Sequence, residues 1–343
     1  MKRRTEGKAH NNIDSSHNEC LYVSESLKGD LNYKKLILKV VLFALLAAFL
    51  PFVYGCSSQE STEGKIVGGI EEFDVDESVT SSDSAYISDM EYEDNNISIK
   101  IEKTRQYDTS VFIAHVQVSD PEYLQTAFAQ DRYLEVNTKD ENKAAKKEYF
   151  ETPSVMAERH GAIFAVNGDP YTYRHFTYGH SYVIRDGEIY CDKTDSDKTD
   201  LLIYQDGSFG LAKDSDATAQ EFVDSGVEQL LNFGPVLVEN GEVTKEAKEA
   251  KDAWDSNGRC AIGIIEPGEY VFAVSDARLP DEKGLSLGEI AQVMKDEGCS
   301  IAYNLDGGGS ALMWFNGEVL NRPVHTDEVI EERAVADIIY IGY

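Results

Sequence analysis

Three consecutive glycines, Gly307, Gly308 and Gly309, follow Asp306 and precede Ser310 in the stretch NLDGGGS. Glycine lets a backbone approach a ligand closely, and successive backbone N–H groups can form a concave nest that binds an anion. The stretch lacks the Gly-Lys-Ser/Thr ending of a nucleotide-binding P-loop, so it does not predict nucleotide binding. The sequence instead predicts a bound anion at the three glycines, beside the carboxylate of Asp306.

A second stretch, AVNGDPY, repeats this arrangement of residue types upstream. The apolar run AIFAV leads into Asn167, Gly168 and Asp169, as the apolar run IAY leads into Asn304 and Asp306. For Asn167, an Asx-type turn in which the side chain bonds nearby backbone is an equal alternative to ligand binding. The two stretches together supply the carboxamides and carboxylates of a polar site.

Three arginines add side chains that are able to bind an anion. Arg259, Arg278 and Arg333 each lie at the edge of a predicted strand. A planar guanidinium donates paired hydrogen bonds to phosphate or carboxylate, although a lone arginine more often pairs with a neighbouring acid. His325 is predicted to lie idle on a loop.

The overall charge excludes one class of partner. The chain has 343 residues, of which 62 are acidic and 32 basic, and its formal net charge is −30. It contains no basic stripe that would neutralise nucleic-acid phosphates, so the sequence predicts no nucleic-acid partner.

The stretch GLSLG, residues 284–288, matches the nucleophile motif G-x-S-x-G of serine hydrolases. That motif requires a strand directly before the serine, whereas the polar residues RLPDEK precede it here. We interpret Ser286 instead as a helix N-cap, with Glu289 completing a capping box.

The elements that must position these residues are mainly short strands joined by tight turns. Asp-Gly or Asn-Gly pairs separate strand-like runs in SYVIRDGEIY, LLIYQDGSFG, PVLVENGEV and MWFNGEVL, and Pro-Gly does so in AIGIIEPGEYVFAVSDA. Helices are predicted near residues 154–160 and in SLGEIAQVMKDEG. We expect one domain of the mixed α/β (α+β) class over residues 96–343, with a single, largely antiparallel sheet and helices packed on it.

The N-terminal region is predicted to lie outside that domain. Residues 1–35 form a basic tail, and residues 36–55 form an apolar run long enough to cross a hydrocarbon core of about 30 Å. Residues 56–95 are acidic and poor in large apolar side chains, so we expect a disordered stalk. The basic residues before the run predict a single-pass signal anchor in the cell membrane with the domain outside the cytoplasm. A lipoprotein anchored at Cys56 is the alternative.

The cysteines give no sign of a metal site. They are Cys20, Cys56, Cys191, Cys260 and Cys299, with no CxxC pair and no cluster of histidines. The sequence therefore predicts no zinc site, and we expect the last three to be single thiols.

A resemblance to a known family is carried by segments in a fixed order: AIFAVNGDPY, SYVIRDGEIY, LLIYQDGSFG, LNFGPVLVENGEV, RCAIGIIEPGEYVFAVSDAR, NLDGGGSALMWFNGEVLNRP and ERAVADIIYIGY. These segments, which cover about residues 155–343, resemble the phosphodiester glycosidase family. The resemblance implies hydrolysis of a sugar that is linked through C1 to a phosphodiester, with a phosphodiester-linked glycan or glycolipid of the cell envelope as substrate.

The resemblance also implies which residues form the site. Asp306 is expected to act at the anomeric carbon as base or nucleophile, with Asp169 and Asp276 as rival catalytic carboxylates. The departing group is a phosphate monoester with a second pKa of about 6, so cationic stabilisation matters more than a general acid. Substrate and phosphate contacts are expected from Asn167, Gly168, Arg259, Arg278, Asn304, Gly307, Gly308, Gly309, Ser310 and Arg333.

Two alternatives stay open at the level of sequence. No cofactor is required, although a divalent cation held among Asp169, Asp276 and Asp306 would suit the same carboxylates. A non-catalytic protein that binds cell-wall glycans would need the same polar side chains but no activated carboxylate.

Overall fold

The computed structural model of the chain describes residues 85–133, 150–170, 181–194, 198–249, 255–326 and 328–343. The predicted basic tail, the predicted membrane anchor and residues 56–84 of the predicted stalk lie outside these ranges. Within the ranges, no helix is both long enough and apolar enough to cross a membrane.

Short strands dominate the described part of the chain. In chain order they are β1 (Tyr86–Ser88), β2 (Glu91–Glu93), β3 (Ile97–Gln106), β4 (Thr109–Val118), β5 (Leu124–Phe128), β6 (Phe164–Asn167), β7 (Val183–Arg185), β8 (Glu188–Cys191), β9 (Thr199–Tyr204), β10 (Phe209–Lys213), β11 (Val227–Leu231), β12 (Val236–Glu239), β13 (Glu242–Val243), β14 (Cys260–Glu266), β15 (Glu269–Ser275), β16 (Ile301–Asn304), β17 (Met313–Phe315), β18 (Glu318–Val319) and β19 (Asp337–Ile341).

The α-helices of the described residues are short and lie between these strands. They are α1 (Pro153–Arg159), α2 (Ala219–Asp224), α3 (Lys245–Glu249) and α4 (Leu287–Asp296). The two helices predicted from the sequence correspond to α1 and α4. Ser286 accepts the N–H of Glu289, whose side chain accepts the N–H of Ser286, so the predicted capping box is confirmed and the serine-hydrolase interpretation is excluded.

The described strands form three sheets, and all their pairings are antiparallel. The first sheet has the order β1-β2-β3-β4-β15-β14-β16-β12-β13, the second β18-β17-β6-β19-β5 and the third β10-β9-β11-β7-β8. The predicted antiparallel character is confirmed, whereas the predicted single sheet is wrong. The difference arises because no local pattern in the sequence indicates which strands pair when they lie far apart in the chain.

The first sheet is the central layer. One of its faces packs against the second and third sheets through a large apolar cluster that includes Phe112, Phe272, Phe164 and Leu201. Its other face lies under α4, where Ile290 is fully buried. Helix α1 covers the outer face of the second sheet, and α2 covers that of the third. Apolar side chains on alternate positions of the strands therefore fill separate layers on either side of each sheet.

The predicted hairpins all form, and the Asp-Gly turn at residues 186–187 and the Asn-Gly turns at 240–241 and 316–317 have the expected backbone. The hairpins are β7–β8, β9–β10, β12–β13, β14–β15 and β17–β18. Asn240 and Gly241 have φ of +52° and +74°, and Asn316 and Gly317 have φ of +50° and +85°. Two successive positive φ angles match the turn type that Asn-Gly favours between strands, so local turn chemistry fixed these pairings.

The predicted boundary of the stalk is corrected at its C-terminal end. Strands β1 and β2 lie within residues 56–95, and β2 pairs with β3 in the first sheet. Tyr86 packs edge-on against Tyr92 and Phe315, with ring centroids 4.9 and 5.5 Å apart. A few aromatic side chains are enough to bring this acidic segment into the fold, because each one buries a large apolar area.

Candidate active site

The triple-glycine segment carries the chain from the first sheet to the second, since it connects β16 with β17. The N–H of Leu305 donates to the carbonyl of Cys260 at 2.9 Å, and the N–H of Asp306 donates to the carbonyl of Gly168 at 3.3 Å. The segment is therefore held by the start of β14 on one side and by the end of β6 on the other.

The glycines bring two stretches of backbone into direct contact. A Cβ atom on Gly307 would lie 2.6 Å from the Gly258 carbonyl oxygen, and one on Gly258 would lie 2.6 Å from the Gly308 carbonyl oxygen. The N–H of Gly308 donates to Gly258 at 2.8 Å, and the N–H of Gly307 donates to Oδ1 of Asp306 at 2.9 Å. Two donors of the predicted anion nest are thus occupied by acceptors of the protein itself, which corrects the nest interpretation for Gly307 and Gly308.

Two polar side chains lie against the same segment. Gly308 has a φ of +64°, and a Cβ atom there would lie 2.8 Å from Nη2 of Arg278. A Cβ atom on Gly309 would lie 2.8 Å from Cα and 3.1 Å from Nδ1 of His325. The absence of side chains at these two glycines is therefore what lets Arg278 and His325 approach.

Asp306 is partly exposed at the start of the segment. Burial raises the pKa of its carboxyl group, and the charge of Asp169 adds to the rise. The Ser310 hydroxyl, the charge of Arg333 and the N–H of Gly307 act in the opposite direction on this pKa. The carboxylate of Asp306 thus interacts with groups of four residues that the sequence assigned to the same site, namely Asp169, Gly307, Ser310 and Arg333.

The two predicted sugar-binding carboxamides bond the backbone of this region. Asn167 donates through Nδ2 to the carbonyl of Asp306 at 2.7 Å, and its Oδ1 accepts the N–H of Leu312 at 3.0 Å. Asn304 donates through Nδ2 to the carbonyl of Gly234 at 2.8 Å. The bonds of Asn167 are long-range, so they are not those of the Asx-type turn that the sequence left open.

A buried arginine lies between two carboxylates beside Gly168. Nη2 of Arg185 is 2.8 Å from Oδ2 of Asp337 and 3.9 Å from Oδ2 of Asp169. Oδ2 of Asp169 also accepts the N–H of Asn232 at 2.7 Å. A Cβ atom on Gly168 would lie 2.6 Å from Oδ1 of Asp337, so this glycine leaves the space that the Asp337 carboxylate occupies.

The same cluster holds a carboxyl group with a strongly perturbed affinity for protons. Burial raises the pKa of Asp337 to about 7, while the charge of Arg185 lowers it and that of Asp169 raises it. Two carboxylates that share one arginine repel each other, which favours the protonated form of one of them.

Arg278 is the predicted arginine that reaches the glycines. Its Nε donates to Oδ1 of Asn257 at 3.0 Å, and its Nη1 donates to the carbonyl of His325 at 2.7 Å. Its own φ is +60°, an uncommon conformation for a residue with a side chain. The guanidinium is therefore held in place by backbone and carboxamide acceptors, with Nη2 next to Gly308.

Arg259 and Arg333 differ in their surroundings. Arg259 donates through Nε to the carbonyl of Leu285 at 2.9 Å and through Nη2 to that of Asp255 at 2.7 Å. Arg333 is exposed, and its charge acts on Asp306. The structure thus brings Arg278 and Arg333 to the glycine segment and its carboxylate, whereas the guanidinium of Arg259 bonds loop backbone.

Asp276 is bonded to an arginine that the sequence analysis did not select. The side chain of Asp276 is buried, and its two oxygens accept the N–H of Arg322 at 2.7 Å and Nε of Arg322 at 2.9 Å. In the described residues, no group of three or more His, Cys, Asp or Glu side chains could hold a metal ion. Asp169, Asp276 and Asp306, considered above as cation ligands, do not form such a group.

Sequence reasoning missed Arg185, Arg322 and Asp337, and it treated His325 as idle. Arg185 is the last residue of the apolar strand β7, Asp337 is the first residue of the apolar strand β19, and both are buried. A charged residue within a buried strand almost always requires a partner of opposite charge. That signal was present in VIRDG and VADIIYI and could have found this pair.

Comparisons with known proteins show which family the sequence matches. A family model described as phosphodiester glycosidase matches residues 160–342, which is more than half of the chain. The SPbeta prophage-derived uncharacterized protein YomE of Bacillus subtilis is 27% identical over 197 residues, which are 56% of this chain and 30% of the relative.

Two mammalian relatives have an assigned name, N-acetylglucosamine-1-phosphodiester alpha-N-acetylglucosaminidase. The human protein is 29% identical over 106 residues, which are 29% of this chain and 20% of that protein. The mouse protein is 25% identical over 154 residues, which are 41% of this chain and 29% of that protein. The chain thus spans less than a third of the length of these relatives.

Solved structures share the fold. The zebrafish N-acetylglucosamine-1-phosphodiester alpha-N-acetylglucosaminidase catalytic domain, auto-inhibited by its pro-peptide, has a TM-score of 0.54 at 20% identity, covering 72% of this chain and 83% of that one. A hypothetical protein from Synechocystis has a TM-score of 0.53 at 14% identity, covering 72% and 62%. With its fold shared by these structures and most of its length matched by the family model, the chain belongs to the phosphodiester glycosidase family.

Proposed function

We propose that the chain hydrolyses the bond between C1 of a sugar and a phosphodiester in a glycan or glycolipid of the cell envelope. The products are the free sugar and a phosphate monoester. The family membership supports the hydrolase class, and the names of the mammalian relatives support a glycosyl-1-phosphodiester as the substrate class.

The partial exposure of Asp306 carries the assignment of the reacting carboxylate. Asp169 and Asp276 are each 1% exposed, and their oxygens accept bonds from Asn232 and Arg322. Asp306 is accessible and lies next to the glycine segment. A carboxylate must reach the anomeric carbon, or a water beside it, to act as nucleophile or base.

The chemistry of the leaving group fits the positive charges near Asp306. When the bond between C1 and oxygen breaks, the electron pair stays with the phosphate oxygen, and the departing monoester is stable as an anion. Arg278 and Arg333 supply positive charge on the side of Asp306, where it would stabilise the departing phosphate. Asn167 and Asn304 then act by holding the backbone around Asp306.

A panel of sugar-1-phosphate methyl diesters tests the proposal, with free reducing sugar as the readout. We expect at least one sugar to be released, and we expect Asp306→Asn to lower kcat/KM by about 1,000-fold or more, because the carboxylate charge acts in the transition state. The matched control is Asp206→Asn, at an exposed turn position where the carboxamide oxygen can still accept the N–H of Ser208. No sugar release from any diester, or equal rates for the two variants, would overturn the assignment.

We further propose that residues 36–55 anchor the chain in the cell membrane with the domain outside the cytoplasm. The apolar run and the charges on either side of it support this placement. Protease added to intact cells should remove the domain, and alkaline washing should leave the chain in the membrane fraction. An acylated chain that loses its anchor in Cys56→Ser would support the lipoprotein alternative instead.

A further inference from the structure

Arg322 joins two buried carboxylates that flank Arg278 in the sequence. Its Nε donates to Oδ2 of Asp276 at 2.9 Å, and its Nη2 donates to Oε1 of Glu282. Asp276 and Glu282 are 1% and 2% exposed, so their charges require compensation within the protein. The stretch that carries Arg278 is therefore tied to one guanidinium at both of its ends.

Ser110 of strand β4 bonds to both of these acidic residues. The N–H and hydroxyl of Ser110 donate to the carboxylate of Glu282 at 2.6 and 2.8 Å. The N–H of Asp276 donates to the carbonyl of Ser110 at 3.0 Å. The carboxylate of Glu282 and the backbone of Asp276 are thus both bonded to the first sheet, while both carboxylates are bonded to Arg322.

The backbone of Arg322 is part of the same contact. Its N–H donates to Oδ1 of Asp276 at 2.7 Å. Shortly after it in the chain, the carbonyls of Val324 and His325 accept Nη1 of Arg278 at 3.3 and 2.7 Å. The segment that begins at Arg322 is therefore bonded both to Asp276 and to Arg278, and it carries His325, whose side chain lies against Gly309.

We propose that Arg322 is a positioning residue for the reaction: through Asp276 and Glu282 it holds Arg278 and His325 against the triple-glycine segment. This inference rests on the proposed function. It gives Asp276 a role in orienting the phosphate-binding arginine, in place of a role at the anomeric carbon. It also explains why the chain keeps two buried carboxylates that do not reach the segment themselves.

The test compares Arg322→Lys with Arg105→Lys in the full chain. Nη1 of Arg105 lies 3.4 Å from Oε2 of Glu282, so both arginines contact the same buried carboxylate, but Arg105 bonds neither Asp276 nor residues 322–325. Lysine keeps the charge and cannot span both carboxylates as a guanidinium does. We measure kcat/KM on the cleaved diester, the Kd for inorganic phosphate by calorimetry, and thermal unfolding.

We expect Arg322→Lys to lower kcat/KM and to weaken phosphate binding by about tenfold or more, while Arg105→Lys changes either by less than about twofold. The double variant Arg322→Lys/Arg278→Lys should bind phosphate no worse than Arg278→Lys alone, because Arg322 acts through Arg278. A purely structural role would lower the melting temperature and leave phosphate affinity unchanged.

Equal phosphate affinity in the two single variants, or additive losses in the double variant, would overturn the inference. So would a full chain that binds no inorganic phosphate. A chain that binds phosphate but releases no sugar from any diester contradicts the proposed function alone, since the comparison of phosphate affinities still decides the role of Arg322.

Discussion

At the scale of single residues, the proposed role of Asp306 predicts how activity depends on pH. Burial raises the pKa of Asp306, so the ionised form that the proposed function requires prevails only above a pH higher than the ordinary aspartate value of about 4. We expect kcat/KM to rise with increasing pH through that raised value. Initial rates between pH 4 and pH 8 measure this acidic limb.

The charge of Arg333 provides a test of the direction in which the pKa of Asp306 shifts the pH profile. This charge lowers the pKa of Asp306, so Arg333→Gln should move the acidic limb to higher pH. Lys100→Gln removes a charge of the same sign from an exposed position on β3 and serves as the control. An acidic limb that stays in place or moves to lower pH in Arg333→Gln would contradict the role given to Asp306.

A methyl group at Gly309 should damage the site without removing any polar group. The Cβ atom of Gly309→Ala would lie 2.8 Å from Cα of His325, which is backbone and cannot swing away. We expect kcat/KM to fall by about a hundredfold, as for a reacting group displaced by about 1 Å. Gly288→Ala is the matched control, since its Cβ atom would meet nothing closer than 3.8 Å and it lies in α4. Equal activity of the two variants would contradict this prediction.

The sequence could select the candidate site residues, but it could not show which of their donors and acceptors bond to other groups of the protein. Three glycines after Asp306 indicated a close backbone approach, and the structure shows that approach between Gly307 and Gly258. Whether an N–H faces a ligand or a carbonyl depends on a strand that lies far away in sequence. Asp276 was selected as a candidate catalytic carboxylate for a similar reason. Its partner Arg322 is remote from it in the chain, so no local pattern showed that the carboxylate was already paired.

At the scale of elements, the capping box of α4 contributes stability apart from the site. Ser286 and Glu289 satisfy each other's backbone N–H groups at the start of the helix. Ser286→Ala should lower the free energy of unfolding by about 1 kcal/mol, whereas Ser286→Asp, which keeps an N-cap acceptor, should cost less. Denaturant titration measures both values, and kcat/KM should stay unchanged because α4 packs on the far face of the first sheet.

The elements that sequence could predict are those set by near neighbours. Asn-Gly and Asp-Gly turns fixed the hairpins, and the spacing of apolar residues fixed α4. The pairing of β6 with β17 and β19 joins strands far apart in the chain, so no local pattern indicated a separate second sheet. The position of Asp306 between two sheets was therefore not predictable from the residues around it.

At the scale of the whole molecule, the cluster of Asp337, Arg185 and Asp169 links stability to pH. The pKa of Asp337 rises from its ordinary value of 3.8 to about 7 on folding, so the native state holds a proton that the unfolded state has released. Its contribution to the free energy of unfolding should therefore decrease as pH rises from about 4 to about 7.

Denaturant titrations of the wild type and Asp337→Asn at several pH values isolate this contribution. The wild-type free energy of unfolding minus that of the variant should become less favourable to the wild type as pH increases across this window. A difference that is independent of pH would contradict the raised pKa. The same series with Asp89→Asn, at an exposed turn, shows how much the loss of a surface carboxylate changes the slope.

The fold class and the family resemblance were accessible from the sequence because both depend on ordered segments rather than on their packing. The layered arrangement of three sheets and the start of regular structure near Tyr86 were not accessible, since both depend on contacts such as that of Tyr86 with Phe315. The family model begins at residue 160 and leaves β1 to β5 unmatched. These strands nevertheless complete the first and second sheets.

The crossing of residues 305–312 from one sheet to another has a consequence for how the proposed activity responds to heat. Asp306, the arginines near it and the carboxamide of Asn167 come from layers that stay together only while the central apolar cluster is intact. Heat inactivation should therefore coincide with the loss of compactness, and a partially melted chain would retain no residual turnover.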